Sequence, residues 1–261
     1  MKRPLKTLLG RGLVSTGLHK AWLADHGVVV AFHRVNNDIP EDGLTVSSKK
    51  FERFCRFFRA NFDVISLGEF VGRLERGTSV AGTLAITFDD GYRDNFEVAA
   101  PILRATGLPA TFFLATRYIE SNVVPWWDEA LPKKLSWMTW DQVRTLAQQG
   151  FDLGAHTQHH VDLGKVSVDE AGREIRGSRQ DLIDKLGRAP DHFAYPYGGR
   201  ANMVEPNRAL VQAAGFRCCV SSYGGLATTG TDPFRLERVA ISPWFQTPEQ
   251  FVFELNTFKS R

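Results

Sequence analysis

Eight short apolar runs recur along this chain at intervals wide enough to hold a helix, and that alternation constrains the fold more than any other feature. The runs cover residues 28–32, 64–66, 84–88, 110–115, 152–155, 193–195, 218–221 and 239–241. Each is strand-sized, and all but 152–155 hold β-branched or aromatic residues. Between them lie helical patterns with readable ends. Phe51, Phe54, Cys55 and Phe58 follow Ser48 at helical spacing. Pro101 opens a helix that stops at Gly107, and Asp141 caps one ending at Gly150. Ser167 with Glu170, and Thr247 with Gln250, have the spacing of capping boxes. Strands alternating with helices predict a parallel α/β architecture, either a barrel or an open doubly wound sheet. The turn after the first strand, Phe32-His33-Arg34-Val35, lacks glycine, which takes away the main support for the dinucleotide-binding version of the open sheet. The expectation is one barrel domain over residues 28–261, preceded by a basic extension over 1–27, with residues 120–138 (Pro125, Trp126, Trp127, Pro132) inserted between a strand and a helix.

Charge and cysteine content exclude several classes. The 32 Lys and Arg side chains nearly balance 29 Asp and Glu, giving a net charge of +3, and no run of like charge suits a nucleic-acid tail. Apolar runs are far shorter than the roughly 20 residues a membrane span needs. Cys55, Cys218 and Cys219 cannot make a disulfide framework. Lys2, Arg3 and Lys6 resemble the start of a signal peptide, but Arg11, His19 and Lys20 interrupt the apolar stretch that should follow. The reading is a cytoplasmic protein, with secretion as the alternative. Residues 2–14 alternate these cations with Leu5, Leu8, Leu9 and Leu13, the pattern of a basic amphipathic helix that contacts an anionic membrane surface, or of a helix that caps the domain.

Three strand ends carry the chemistry. The run 84–88 leads into Asp89-Asp90-Gly91, where two carboxylates at the end of a buried strand repel each other unless a cation or protons intervene. The run 152–155 leads into His156-Thr157-Gln158-His159-His160. His156 and His160 are four apart, so a helical turn would put both imidazoles on one face for a divalent cation. The run 193–195 leads into Tyr195-Pro196-Tyr197-Gly198-Gly199, a turn that can offer backbone N–H groups to a ligand. In a barrel these strand ends meet on one face.

Taken with Leu108-Pro109-Ala110-Thr111-Phe112-Phe113-Leu114 and Trp140-Asp141-Gln142-Val143, these motifs resemble the polysaccharide deacetylases of the NodB-homology type. The resemblance spans about residues 28–241 and implies an irregular, TIM-like (β/α)7 barrel. It implies that Asp89 is the general base and that Asp90, His156 and His160 hold one divalent ion. Zinc is the first choice, with cobalt, nickel or iron as alternatives. It further implies that the Tyr197 N–H stabilises an oxyanion, and that His159 fills a variable position. Two departures stand out. Ala194 replaces the arginine that helps hold the base, and no histidine follows His192 to supply the usual general acid. A circularly permuted branch, which includes deacetylases of poly-N-acetylglucosamine, carries that acid at the end of the first strand, where this chain has His33. The implied function is metal-dependent removal of acetyl groups from N-acetylated amino sugars of a glycan or lipid-linked precursor. The alternatives are another C–N hydrolase or sugar O-deacetylase on the same fold, or an inactive glycan-binding protein. An acetylated glycan is the expected partner, and nucleic acid is not.

Overall fold

The apolar run Val28–Phe32 is buried at every position, as a parallel strand covered on both faces must be. In the computed structural model, which describes residues 1–258, this run is β1. The other strands are β2 (Arg34–Val35), β3 (Thr45–Val46), β4 (Asp63–Val64), β5 (Thr83–Phe88), β6 (Thr111–Leu114), β7 (Asp152–Ala155), β8 (His192–Ala194), β9 (Cys218–Val220) and β10 (Val239–Ala240). The helices are α1 (Arg3–Ser15), α2 (Leu18–Trp22), α3 (Ser48–Asn61), α4 (Leu67–Glu75), α5 (Ala100–Thr106), α6 (Trp140–Gln148), α7 (Val168–Leu186), α8 (Glu205–Ala213) and α9 (Pro248–Leu255).

All eight apolar runs are strands of one parallel sheet, in the order β10-β1-β5-β6-β7-β8-β9 with β4 paired to the start of β5. The end strands do not pair directly. Instead Ser221 N–H donates to the Leu236 carbonyl at 3.0 Å and Gly224 N–H to the Arg238 carbonyl at 2.9 Å, so the approach to β10 lies beside the end of β9. The sheet therefore curls into an irregular, incompletely closed (β/α)7 barrel, as expected. The short pair β2–β3 was not anticipated; two residues per strand give too little periodicity to read.

Helix ends follow from side-chain capping, with two corrections. Ser47 rather than Ser48 caps α3, accepting from the Lys50 N–H. Thr139 rather than Asp141 caps α6, because only Thr139 completes a reciprocal box with Gln142; Asp141 sits in the first turn and pairs with Arg144. The apolar stripe of α3 closes the core under the strand ends. There Phe51 meets Phe32 and Phe88 edge-on, and Phe88 stacks on Phe112 with ring centroids 4.9 Å apart. Helix α1 lies on α9 at Gly10, where a Cβ would fall 1.8 Å from the Glu249 carbonyl oxygen. Among the described residues, no helix is long and apolar enough to cross a membrane.

Candidate active site

Strand register assembles the site. β1 and β5 pair with Phe32 opposite Phe88, and Asp89 N–H donates to the Phe32 carbonyl at 3.0 Å. The next residues, His33 and Asp89, therefore emerge side by side, with His33 Nε2 3.9 Å from Asp89 Oδ2. β6 and β7 pair with Leu114 opposite Ala155, which sets His156 one step beyond the sheet on the same rim. The Ala115 N–H reaches the Asp90 carbonyl, so the Asp89-Asp90 turn is tied to that rim as well.

Asp90, His156 and His160 converge, although not by the expected helical turn. The segment from His156 to His160 is an irregular loop in which Thr157 (φ 63°) and His160 (φ 54°) are left-handed. Asp90 (φ 74°) and Tyr197 (φ 63°) share that strained conformation, which concentrates at functional positions. Glu174 of α7 holds the loop: its carboxylate accepts from the Gln158 and His159 N–H groups, each at 2.9 Å, and lies 2.7 Å from His159 Nδ1. His159 thus faces Glu174, outside the three-residue cluster. Asp90 Oδ1 lies 3.3 Å from His156 Nε2 and 3.2 Å from His160 Nε2, and one ligand atom from each residue falls within 4.8 Å of the others.

These residues fit a divalent cation. Asp90 Oδ1 is buried without a hydrogen-bond partner despite two nearby ring nitrogens, so the three groups aim at shared space rather than at each other. Bonds of about 2.0–2.1 Å in a tetrahedral site imply donor separations near 3.3 Å, which the two Asp90–His distances match. His156 Nδ1 lies 2.8 Å from the Ala194 carbonyl, an acceptor that places the proton there and leaves Nε2 as the free donor atom. A carboxylate with two imidazoles suits zinc and its first-row neighbours. Burial disfavours charge on Asp90, yet the neighbouring His156 and His160 imidazoles hold its carboxyl well below the usual range. Burial lowers the His156 pKa, but the close Asp90 carboxylate and the charge of Asp89 outweigh it and raise the value.

The arginine missing at Ala194 is replaced from elsewhere. Arg238, just ahead of β10 and completely buried, makes a fork to Asp89, with Nη1–Oδ1 and Nη2–Oδ2 both 2.7 Å. The guanidinium also donates to Thr87 Oγ1, Ser222 Oγ and the Ser221 carbonyl, and so lies in the seam between β9 and β10. Burial alone would raise the Asp89 pKa; the charges of Arg238 and His156 reverse that and lower it, keeping the carboxylate ionised. His33 shifts down from its ordinary value because burial outweighs the attraction of Asp90 and Asp89.

A pocket of about 350 Å³ opens over these groups, walled by Leu44, Trp126, Trp127, Tyr197 and Ser222. The insertion holding both tryptophans is anchored by buried Arg34, which forms an ion pair with Asp128 and a fork to Asp42. Asp128 accepts from Tyr92 Oη, and Tyr92 Oη accepts from Trp127 Nε1. Trp127 and Tyr197 pack on the His160 ring at centroid distances of 4.7 and 5.0 Å. Trp126 and Tyr197 stay largely exposed at the mouth. The Tyr197 N–H makes none of the backbone bonds of its turn, where Gly198 N–H closes onto the Pro196 carbonyl. Sequence reading brought out Asp89, Asp90, His156, His160, His33 and Tyr197, but not Arg238 or Glu174, and it placed Trp126 and Trp127 in an insertion without assigning them to the pocket wall. A buried pair of carboxylates with no cation in the third motif is a signal that one must arrive from elsewhere. It does not say which.

Comparison with known proteins gives relatives, fold and family. YxkH of Bacillus subtilis (strain 168) is 24% identical over 217 residues, covering 82% of this chain and 71% of that protein. A poly-beta-1,6-N-acetyl-D-glucosamine N-deacetylase of Staphylococcus aureus (strain MRSA252) is 23% identical over 209 residues, covering 76% and 68% respectively. The Streptococcus pyogenes deacetylase PplD in complex with acetate superposes with a TM-score of 0.74 at 22% identity, over 87% of this chain and 96% of that one. IcaB from Ammonifex degensii gives 0.74 at 20%, over 89% and 97%. These two structures share the fold. The family model for polysaccharide deacetylase matches residues 76–219, more than half of the sequence and the stretch that holds Asp89, Asp90, His156, His160 and Tyr197. The chain belongs to the polysaccharide deacetylase family.

Proposed function

We propose that this protein is a metal-dependent N-deacetylase of polymers containing N-acetylglucosamine, with the β-1,6-linked polymer named for its staphylococcal relative as the first candidate substrate. The single observation that carries the reading is the buried cluster in which Asp90, His156 and His160 share one point while Asp89, forked by Arg238, stands beside it. A divalent ion held there, zinc first, would act as a Lewis acid that polarises the acetyl carbonyl and eases deprotonation of a water. Asp89, which lines the pocket, takes that proton. Arg238 fixes the plane of the carboxylate and keeps it anionic, so the base is ready at neutral pH. The Tyr197 N–H donates toward the oxygen that becomes negative. His33, 3.9 Å from Asp89, delivers a proton to the departing sugar amine. Trp126 and Tyr197 offer apolar ring faces at the mouth for the neighbouring sugar, because a pocket this size takes one residue of a polymer.

An inactive glycan-binding role fits less well. Binding needs no ionised carboxylate buried beside a cation site and held there by a buried arginine, an arrangement with a large desolvation cost. Acetate release separates the readings. The expected result is release from poly-β-1,6-N-acetylglucosamine, little from β-1,4 chitooligosaccharides or O-acetylated glycans, and loss on metal stripping. Release from O-acetylated glycans alone would move the assignment to an esterase, and none from any substrate would move it to a binding protein.

A further inference from the structure

Helix α1 is built inside out for a capping helix. Its inner side, against α9, is mostly small or polar: Gly10 sits on the Glu249 carbonyl, Thr7 Oγ1 meets Thr247 Oγ1 at 3.2 Å, and Lys6 pairs with Glu254 at 3.1 Å, while Val14 near its end packs on the core. Its outer side carries Leu5, Leu8 and Leu9, at i, i+3 and i+4, which are 47%, 64% and 42% exposed. A helix serving only to close the domain turns its leucines inward.

Charge says what meets this stripe. The first 24 residues hold five Lys and Arg side chains and no acid, so the rest of the chain is net −2. Lys2 and Arg11 are exposed on the flanks of the stripe, and Lys20 is exposed on α2. On the inner side, half-exposed Trp244 takes the Arg3 guanidinium 4.5 Å from its ring centroid, and Glu254 holds its indole N–H. Exposed leucines flanked by long cations that can reach outward are the chemistry of a lipid headgroup boundary. A twofold contact with a second copy would set this uncompensated positive charge against itself.

We propose that α1 docks the protein on an anionic bilayer surface, with Leu5, Leu8 and Leu9 among the acyl chains and Lys2, Arg11 and Lys20 at the phosphates. The proposal is independent of the deacetylase reading, since α1 contributes no residue to the pocket.

Co-sedimentation of the full chain with vesicles tests it. Binding to phosphatidylglycerol-containing vesicles should exceed binding to pure phosphatidylcholine at least tenfold and fall as sodium chloride is raised. The pair Leu8→Glu with Leu9→Glu should lower binding at least tenfold while circular dichroism stays as in the wild type. Lys2→Glu with Arg11→Glu should weaken binding to anionic vesicles and leave phosphatidylcholine binding unchanged. The proposal is overturned if the wild type stays in the supernatant with anionic vesicles, or if Leu8→Glu/Leu9→Glu binds like the wild type. It is also overturned if light scattering finds a dimer that these leucine substitutions dissolve, because the stripe then serves a second copy.

Discussion

Replacing Arg238 by Met should do more damage than removing one hydrogen-bonding side chain, because it strands a buried charge. Asp89 and Arg238 are both essentially without solvent contact and joined by two bonds of 2.7 Å. Breaking a buried pair by removing one partner typically costs about 3–5 kcal/mol, most of it the penalty of the uncompensated ion left behind. In an Asp89→Asn background no such ion remains, so the same Arg238→Met step should cost about 2–3 kcal/mol less. Urea unfolding of the two single variants and the double variant at pH 7, at equal metal content, measures that coupling. A second signature is the pH dependence. In the wild type the folded-state pKa of Asp89 is depressed, so its contribution is present above the unfolded value and is lost as pH falls through the folded one. Without the guanidinium, burial pushes Asp89 up instead. Its contribution in Arg238→Met then becomes a penalty present above the folded pKa and relieved as pH falls. Turnover should drop by about 10²–10³ through loss of an oriented, ionised base. Additive effects within about 0.5 kcal/mol, together with an unchanged sign of the pH dependence, would refute the reasoning.

Other consequences follow from single residues. His33→Ala should retain metal and lower the rate on acetamido sugars by about 10²–10⁴, yet slow activated acetate esters by less than about tenfold, since their leaving groups need no proton; equal losses on both would assign His33 to structure. Trp126→Ala should raise KM for the polymer about fivefold through loss of roughly 1 kcal/mol of ring contact, leaving kcat and small esters unchanged; an unaltered polymer KM would remove Trp126 from the sugar path. Burial lowers the His192 pKa to about 4, far from the site. Because 6.5 is its ordinary value, stability is fully present above pH 6.5 and lost as pH falls toward 4, by up to about 3 kcal/mol. His192→Leu should flatten that part of the urea-unfolding profile, and an identical slope in the variant would contradict the assignment.

Much of the site was legible because barrel strands are buried on both faces. Burial makes them read as apolar runs, and polar residues at their ends then stand out. Asp89, His156 and Tyr197 were visible for this reason, and strand register alone brings His33 next to Asp89. What stayed hidden depends on contacts distant in sequence. Nothing local distinguishes Arg238, which precedes an ordinary short strand, from the other basic side chains. Its role comes from the seam where β9 and β10 fail to pair. The shape of the His156–His160 loop was misread because spacing of four suits a helix, whereas Glu174 on a separate helix holds the left-handed path. The leucines of α1 were visible as a stripe, but only packing against α9 shows that they face outward.

The central claim is that Asp90, His156 and His160 hold one divalent ion while Asp89 serves as a separate base. Metal content by plasma emission spectroscopy, measured beside acetate release from poly-β-1,6-N-acetylglucosamine, tests it most directly in the wild type, Asp89→Asn and Asp90→Asn. The account predicts one equivalent of metal in the wild type and in Asp89→Asn, with turnover about 10²–10⁴ lower in the latter, and no retained metal in Asp90→Asn. Full turnover by Asp89→Asn, or by metal-stripped wild type, would contradict it.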